Sequence, residues 1–323
     1  MKEHQAPEIA MPTMAVSSCL APPHARVAAV VVTYFPQERL LYRLVSSIAD
    51  QVDVILLIDN TPGSQAQDPR SALPSCRDLR YLPQGRNLGV ASAFNVGIEV
   101  VLKADYTHIM MFDQDSMLPA GGVKNLLHAE QCLLDQGRRV AAVAPLYVDE
   151  KSGKRVTRVF CKGFKVHRIP IASTEENPVE TDSVISSGAL IKTSILRQVG
   201  PMLDLLFIDF VDTEWAYRAS ALGLCCYIVP QVIMTHSIGD HAKTLMGKTF
   251  YLHSATRDYY IVRNTIYLLR GNRMSRDWRL ANLVALPKYI ISRLLLAPGK
   301  MKRFFLMLRA FYQGTAGSMR NLM

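Results

Sequence analysis

The sequence predicts an α/β protein with an open, mainly parallel sheet flanked by helices, and three observations carry that expectation. Val27 to Thr33 (VAAVVVT) is a β-branched run without alternation, as expected for a parallel strand covered on both faces. Apolar strand-like runs then alternate with segments of helical periodicity, the arrangement of repeated βαβ units. Finally, each early strand ends on polar residues, and open sheets of this class gather ligands beyond the carboxyl ends of their strands.

In order, Gln37 to Asp50 places Leu40, Leu41, Leu44, Val45 and Ile48 at helical spacing, and Val52 to Ile58 returns to strand character before Asp59-Asn60-Thr61-Pro62-Gly63 turns the chain. A strand near Leu79 to Leu82, a helix over 89–103 and a strand at Thr107 to Phe112 repeat the alternation. A helix over 121–136 and a strand near Val140 to Leu146 follow. Residues 149–182 are polar and basic and read as an irregular excursion or hairpin. Regular structure resumes at Ser183 to Ile191, with a helix at Val211 to Leu222 and two short strands at Cys225 to Val229 and Val232 to Thr235.

The composition, 49% apolar and 20% charged over 323 residues, excludes a disordered or fibrous chain. Six cysteines show neither C-x-x-C pairs nor ligand spacing with His, and are expected as reduced thiols. Residues 1–25 read as a flexible tail without the pattern of a signal peptide. Residues 219–239 carry no formal charge, but Gly223, Pro230, Gln231, His236 and Gly239 interrupt them, so a membrane span is not expected.

Charge is uneven. Of the formal +10, about +8 lies in residues 276–323, where nine Lys or Arg stand against Asp277 alone. Leu280, Leu283, Val284, Ile290, Ile291, Leu294 and Leu295 share one helical face there, and Met301, Phe304, Phe305, Leu308, Phe311 and Tyr312 another. Two basic amphipathic helices follow, which either lie on an anionic membrane surface or pack their apolar stripes on the rest of the chain. No nucleic-acid partner is expected, because the basic excess is confined to one end.

Asp113-Gln114-Asp115 directly follows an apolar strand, so two carboxylates emerge at one sheet edge and can share a hard divalent cation. Read alone the triplet is a solvated turn. Asp59 alone is a turn former, and Thr33 alone is uninformative. Jointly, Thr33, Asp59, Arg86 and the Asp113/Asp115 pair stand at successive strand ends that would line a single crevice. A second cluster, Asp209-Phe210-Val211-Asp212-Thr213-Glu214-Trp215, sets three carboxylates at a helix start, with Arg218 four residues beyond Glu214 as its helical ion-pair partner.

The strand VVVTYF, LLIDNTP, the run Arg86-Asn87-Leu88-Gly89, MMFDQDS and LFIDFVDTEWAYRA together resemble family 2 glycosyltransferases, and among them bacterial rhamnosyltransferases. The resemblance covers about Val27 to Asn264. It implies the GT-A fold of nucleotide-diphosphosugar transferases, with a glycosyltransferase domain over 26–272, a nucleotide-binding half at 26–147, an acceptor half at 183–272, and a basic tail at 273–323. By the same resemblance Thr33, Asp59, Arg86 and Asp113 bind the donor nucleotide and Asp115 holds Mg²⁺ or Mn²⁺, to which His236, otherwise a structural histidine, adds a ligand in some members. Asp212 corresponds to the catalytic base of inverting members, although Val211 stands where many carry Glu. Asp209, Glu214, Trp215, Arg257 and Arg263 are carried over as residues orienting donor or acceptor.

The expectation is therefore an inverting, metal-dependent rhamnosyltransferase that uses dTDP-L-rhamnose and a hydroxyl of a lipid-linked saccharide or glycolipid. The setting implied is polysaccharide or O-antigen assembly, with the protein peripheral on the cytoplasmic face of the inner membrane. The alternatives are the same chemistry with a UDP-sugar donor, and a non-catalytic sugar-nucleotide-binding scaffold at the membrane.

Overall fold

The computed structural model describes residues 25–150, 153, 155–236, 241–245, 248–319 and 321–322, so Cys19 and all of the expected N-terminal tail but its last residue lie outside the described residues. The chain runs β1 (Val27–Thr33), α1 (Glu38–Ile48), β2 (Val54–Asp59), β3 (Leu79–Pro83), α2 (Val90–Lys103), β4 (His108–Asp113), α3 (Gly122–Asp135) and β5 (Val140–Asp149). It continues through β6 (Thr157–Lys162), β7 (Lys165–Pro170), β8 (Val179–Thr181), β9 (Leu190–Lys192), α4 (Thr193–Val199), α5 (Val211–Ala221) and β10 (Cys225–His236). The last elements are β11 (His241–Leu245), β12 (Lys248–Leu252), α6 (Ala255–Arg270), α7 (Arg276–Leu296) and α8 (Lys300–Ala316).

Eight strands form one sheet in the order β3-β2-β1-β4-β9-β5-β10-β8, and only β9 and β8 run against the rest. Every residue of β1 and β2 is buried, which is why both read as unbroken apolar runs. Two apolar layers cover the sheet, one built around α2, α5 and Trp278 and the other around α1 and α3. The register of β1 against β2 and β4 pairs Thr33 with Asp59 and Val32 with Asp113, so three strand ends finish level at one edge.

Three elements differ from the sequence-based expectation. The two short strands at 225–235 are one strand, β10, whose pairing with β5 slips between Val229 and Ile233, and Pro230-Gln231 sit in that bulge. Within 149–182 the expected alternative of a hairpin is the one found, β6 pairing antiparallel with β7, while β8, which was not expected, adds to the sheet beside β10. Helices α4 and α6 stand where no helix was expected. Cys76, Cys132, Cys161, Cys225 and Cys226 are free thiols, as expected. No helix among the described residues is long and apolar enough to cross a membrane.

The amphipathic helices at the C-terminal end are built into the protein. On α8, Met307, Ala310, Gln313 and Gly314 are buried, the last against the Arg263 carbonyl of α6, while Trp278 and Ala281 of α7 enter the main core. Arg293 and Arg303, which lie off the two apolar stripes, are buried with Asp258 of α6: Arg303 pairs with it directly, the Arg293 guanidinium lies 3.7 Å away, and the Tyr289 hydroxyl donates to it at 2.6 Å. A buried carboxylate held by two guanidinium groups leaves a costly uncompensated charge when either is removed.

Helix α2 reaches the sheet through Gly97, where an added Cβ would stand 2.3 Å from a γ-methyl of fully buried Val30. Gly97→Ala is therefore expected to destabilise the fold by about 1–3 kcal/mol despite the better helix propensity of alanine, measured as a lower urea midpoint.

Candidate active site

The level strand ends bring Thr33, Asp59 and Asp113 to one edge of the sheet. Asp59, only 2% exposed, accepts from the Thr33 hydroxyl at 3.1 Å, the Thr61 N–H at 3.0 Å and the Tyr81 hydroxyl at 2.8 Å. Three of about four carboxylate lone-pair sites are thus taken, leaving one for an incoming donor. Burial and the adjacent Asp59 push the Tyr81 phenol well up, so it remains the donor in that bond. The loops beyond the strands are stitched together: Tyr34 N–H donates to the Gln114 side chain at 2.8 Å and Phe35 N–H to the Thr61 hydroxyl at 2.9 Å. The Asn60 amide donates to the Gly89 carbonyl at 3.1 Å, which fixes the loop carrying exposed Arg86.

Gly89 opens α2 at a φ of +82°, but its closeness serves the protein itself. The Phe207 carbonyl accepts from Val90 N–H at 2.7 Å and more weakly from Ala91 N–H, and a Cβ on Gly89 would strike both the ring and the carbonyl of Phe207. The helix start is accordingly capped from within, and its first N–H groups do not face a phosphate. Among the resemblance-based donor contacts of this loop, the side chain of Arg86 is the one still presented to solvent.

Asp113 and Asp115 are half-buried at the end of β4. The link from here to Asp212 is the dipeptide Ser186-Ser187, which the sequence reading passed over. Ser187 is fully buried; its hydroxyl accepts from Asp113 N–H at 3.1 Å and lies 2.6 Å from that of Ser116. Its neighbour donates through the Ser186 N–H to the Asp212 carboxylate at 3.3 Å. The next residue, Gly188, has a φ of +82°, and a Cβ there would meet Pro145 and Met234 at under 3 Å. The signal was present in the Ser-Ser-Gly run between two apolar segments.

Asp212, at the start of α5, also accepts from the N–H and hydroxyl of Thr213, at 2.7 and 3.3 Å. Burial raises its pKa above the ordinary aspartate value, and Asp209 nearby adds to the rise, while these hydrogen bonds oppose it. It faces a cavity of about 280 Å³. Tyr147, Arg168 and Asp182 supply polar atoms to the walls, and Phe210, Tyr217 and Trp278 supply aromatic surface. Burial and the Asp212 charge push the Tyr147 phenol up to about 12.

The loop that delivers Asp212 is strained. Phe207, Asp209 and Phe210 all have φ between +63° and +66°, a region that L-residues with bulky side chains rarely occupy. Two fully buried residues of α6 impose it: the Asn264 amide donates to the carbonyls of Leu206, Ile208 and Asp209 at 2.8–3.1 Å, and the Arg263 guanidinium to those of Leu205 and Leu206 at 3.0 Å. Phe207 stacks on Tyr260 with ring centroids 4.8 Å apart.

This corrects three of the orienting residues carried over from the resemblance. Arg263 is wholly buried and spends its donors on the loop. Glu214 is wholly buried and paired with Arg218 at 2.9 Å and Arg273 at 3.3 Å, and Trp215 is core, its N–H donating to the Gly200 carbonyl at 3.0 Å. None of the three reaches a substrate. Asp209 on that loop and Arg257 in the first turn of α6, in contrast, form a partly exposed ion pair at 3.0 Å.

The donor set suits a hard divalent cation. An isolated antiparallel bridge between Met117 and Thr235 brings the end of β10, where His236 stands, beside the loop that carries Asp115. Among the described residues no three His, Cys, Asp or Glu side chains gather into a closed metal cage. Mg²⁺ and Mn²⁺ suit such an open arrangement, since Mg²⁺ typically takes one or two carboxylates and completes its shell with water and substrate phosphates.

Asn264→Ala is expected to cost about 1–3 kcal/mol of stability, because it leaves buried carbonyls without donors, and to lower glycosyl transfer although residue 264 touches no substrate. Thermal unfolding and turnover of the purified variant check this.

The pattern of the family described as Glycosyl transferase family 2 matches residues 29–198. The dTDP-rhamnosyl transferase RfbF of Shigella flexneri is 31% identical over 264 residues, which cover 78% of this chain and 82% of that protein. The crystal structure of GalNAc-T7 with UDP, GalNAc and Mn²⁺ superposes with a TM-score of 0.52 at 13% identity, covering 85% of this chain and 58% of that one, so the present chain spans little more than half of it. That of S. aureus TarS 1-349 in complex with UDP gives a TM-score of 0.51 at 11% identity, covering 91% and 82%. Family pattern, relative and superposed folds agree: the chain belongs to glycosyl transferase family 2 and is a glycosyltransferase of the GT-A fold.

Proposed function

We propose that the protein is an inverting rhamnosyltransferase that moves L-rhamnose from dTDP-L-rhamnose to a hydroxyl of a lipid-linked saccharide or glycolipid, in the assembly of a surface polysaccharide such as O-antigen. The observation that carries the mechanism is the placement of Asp212. Its carboxylate borders a cavity sized for about one sugar ring and is tied through Ser186 and Ser187 to the Asp113 strand end. The donor assignment rests on the likeness to the Shigella rhamnosyl transferase.

In this reading Thr33, Asp59 and Asp113 receive the nucleoside at the sheet edge and Arg86 offers a charged contact to the diphosphate. Asp115, with His236 at the end of β10 beside its loop, would hold Mg²⁺ or Mn²⁺; such an ion neutralises charge that grows on the departing diphosphate. Asp212 takes the proton of the acceptor hydroxyl as its oxygen attacks C1 from the face opposite the leaving group, giving one displacement and inversion. The Ser186 and Thr213 donors fix the carboxylate direction. Burial keeps Asp212 a stronger base than a free aspartate.

The raised pKa fixes two signs. Activity depends on ionised Asp212, so kcat/KM should fall on the acid side through a value above the ordinary 3.9 or so of aspartate. A carboxylate whose folded pKa exceeds its unfolded one costs stability once pH passes the unfolded value. Asp212→Asn is therefore expected to raise Tm at pH 7 while lowering transfer by roughly 10²–10⁴-fold.

The donor is tested by turnover with dTDP-L-rhamnose against a panel of UDP-sugars, with and without EDTA. Release of dTDP that EDTA abolishes and Mg²⁺ or Mn²⁺ restores is expected. Turnover of a UDP-sugar with dTDP-rhamnose inert would replace the donor, and EDTA-insensitive turnover would remove the metal.

A further inference from the structure

Helices α7 and α8 leave large apolar side chains uncovered. On α7, Leu283, Ile291 and Leu295 are 58–65% exposed, and on α8 Met301, Phe305, Phe311 and Tyr312 are 56–71% exposed. That is a concentration of large apolar side chains that soluble proteins rarely leave uncovered. The β6–β7 hairpin repeats the pattern: Phe164 at its tip is 61% exposed, and every residue of β7 is exposed.

Both elements are basic. Residues 157–170 contain Arg158, Lys162, Lys165 and Arg168 and no acid, and α7 and α8 expose Arg276, Lys288, Lys300, Lys302 and Arg309. The two elements also meet. Helix α7 packs on β6 and β7, and the cavity lies at their junction, lined by Val159, Val166 and Arg168 from the hairpin and by Trp278 and Asn282 from α7. Val166 and Arg168 are exposed as well as lining, so they stand at its mouth.

We infer that α7, α8 and the β6–β7 hairpin form one docking face for an anionic phospholipid bilayer, arranged around the mouth of the Asp212 cavity so that an acceptor carried on a lipid enters from the membrane side. Charge selects the occupant. A second copy of the chain would oppose the same basic excess, whereas an anionic headgroup layer neutralises it while its acyl boundary receives the aromatic and aliphatic side chains. With no described helix able to span, the face lies in the plane of the interface. Docking itself stands on this surface alone; entry of the acceptor rests on the role given to Asp212.

The full-length protein is tested by sedimentation with vesicles of phosphatidylglycerol and phosphatidylcholine, or of phosphatidylcholine alone. Strong binding to the anionic vesicles, weakened by NaCl, is expected. Phe305→Glu/Phe311→Glu on α8 and Phe164→Glu/Lys165→Glu on the hairpin should each weaken it at least tenfold, with unchanged Tm. Tyr42→Glu, at an exposed aromatic on α1, should not. Equal binding to neutral vesicles, native-like binding by the hairpin variant, or a lipid-free dimer dispersed by the α8 variant without any vesicle binding would each overturn the proposal. Asp212→Asn should bind vesicles as the native protein does, which separates failure of docking from failure of the catalytic reading.

Discussion

The site depends on one constraint: the backbone just before Asp212 is held in a conformation it would not choose. Three non-glycine residues at positive φ cost on the order of 1–3 kcal/mol each, and Asn264 and Arg263 hold the loop in that shape by donating to the carbonyls of Leu205, Leu206, Ile208 and Asp209. Helix α6 thereby decides where α5 starts and how the Asp212 carboxylate faces the cavity. The same loop supplies Phe207, whose carbonyl caps α2 and whose ring occupies the space that Gly89 leaves open. The start of α2 and the start of α5, with Asp212, are consequently both braced by a single strained segment.

The sheet was legible because burial on both faces removes alternation, so β1, β2 and β4 appear as plain apolar runs with polar ends. The order of Thr33, Asp59, Arg86, Asp113 and Asp115 followed from those ends. Strand β10 was divided in two because Pro230-Gln231 imitate a break where the strand only bulges. The β6–β7 hairpin is legible only as an excursion or hairpin without strand bounds, because it shows no buried face in its sequence: β6 is half-exposed and β7 exposed throughout.

In the site the difficulty was direction. Residue type marks Glu214 and Arg263 as chemically able, but only the fold shows that both point inward, toward Arg218 and the loop carbonyls respectively. Ser186 and Ser187 have the opposite history, since two serines announce little until β4 and α5 are seen to converge on them. The tail was half-read. Its amphipathic stripes were visible, while the burial of Arg293 and Arg303 on Asp258 needed α6 to be in place.

The internal cap on α2 reaches further than local geometry. Many nucleotide-binding folds greet a pyrophosphate with the peptide dipoles of a helix start. Here that partial positive charge is quenched by a carbonyl of the chain itself. In the proposed reaction the diphosphate then takes its counter-charge from side chains such as exposed Arg86 and from a dissolved cation, so the ionic composition of the surrounding solution becomes a working part of the catalyst.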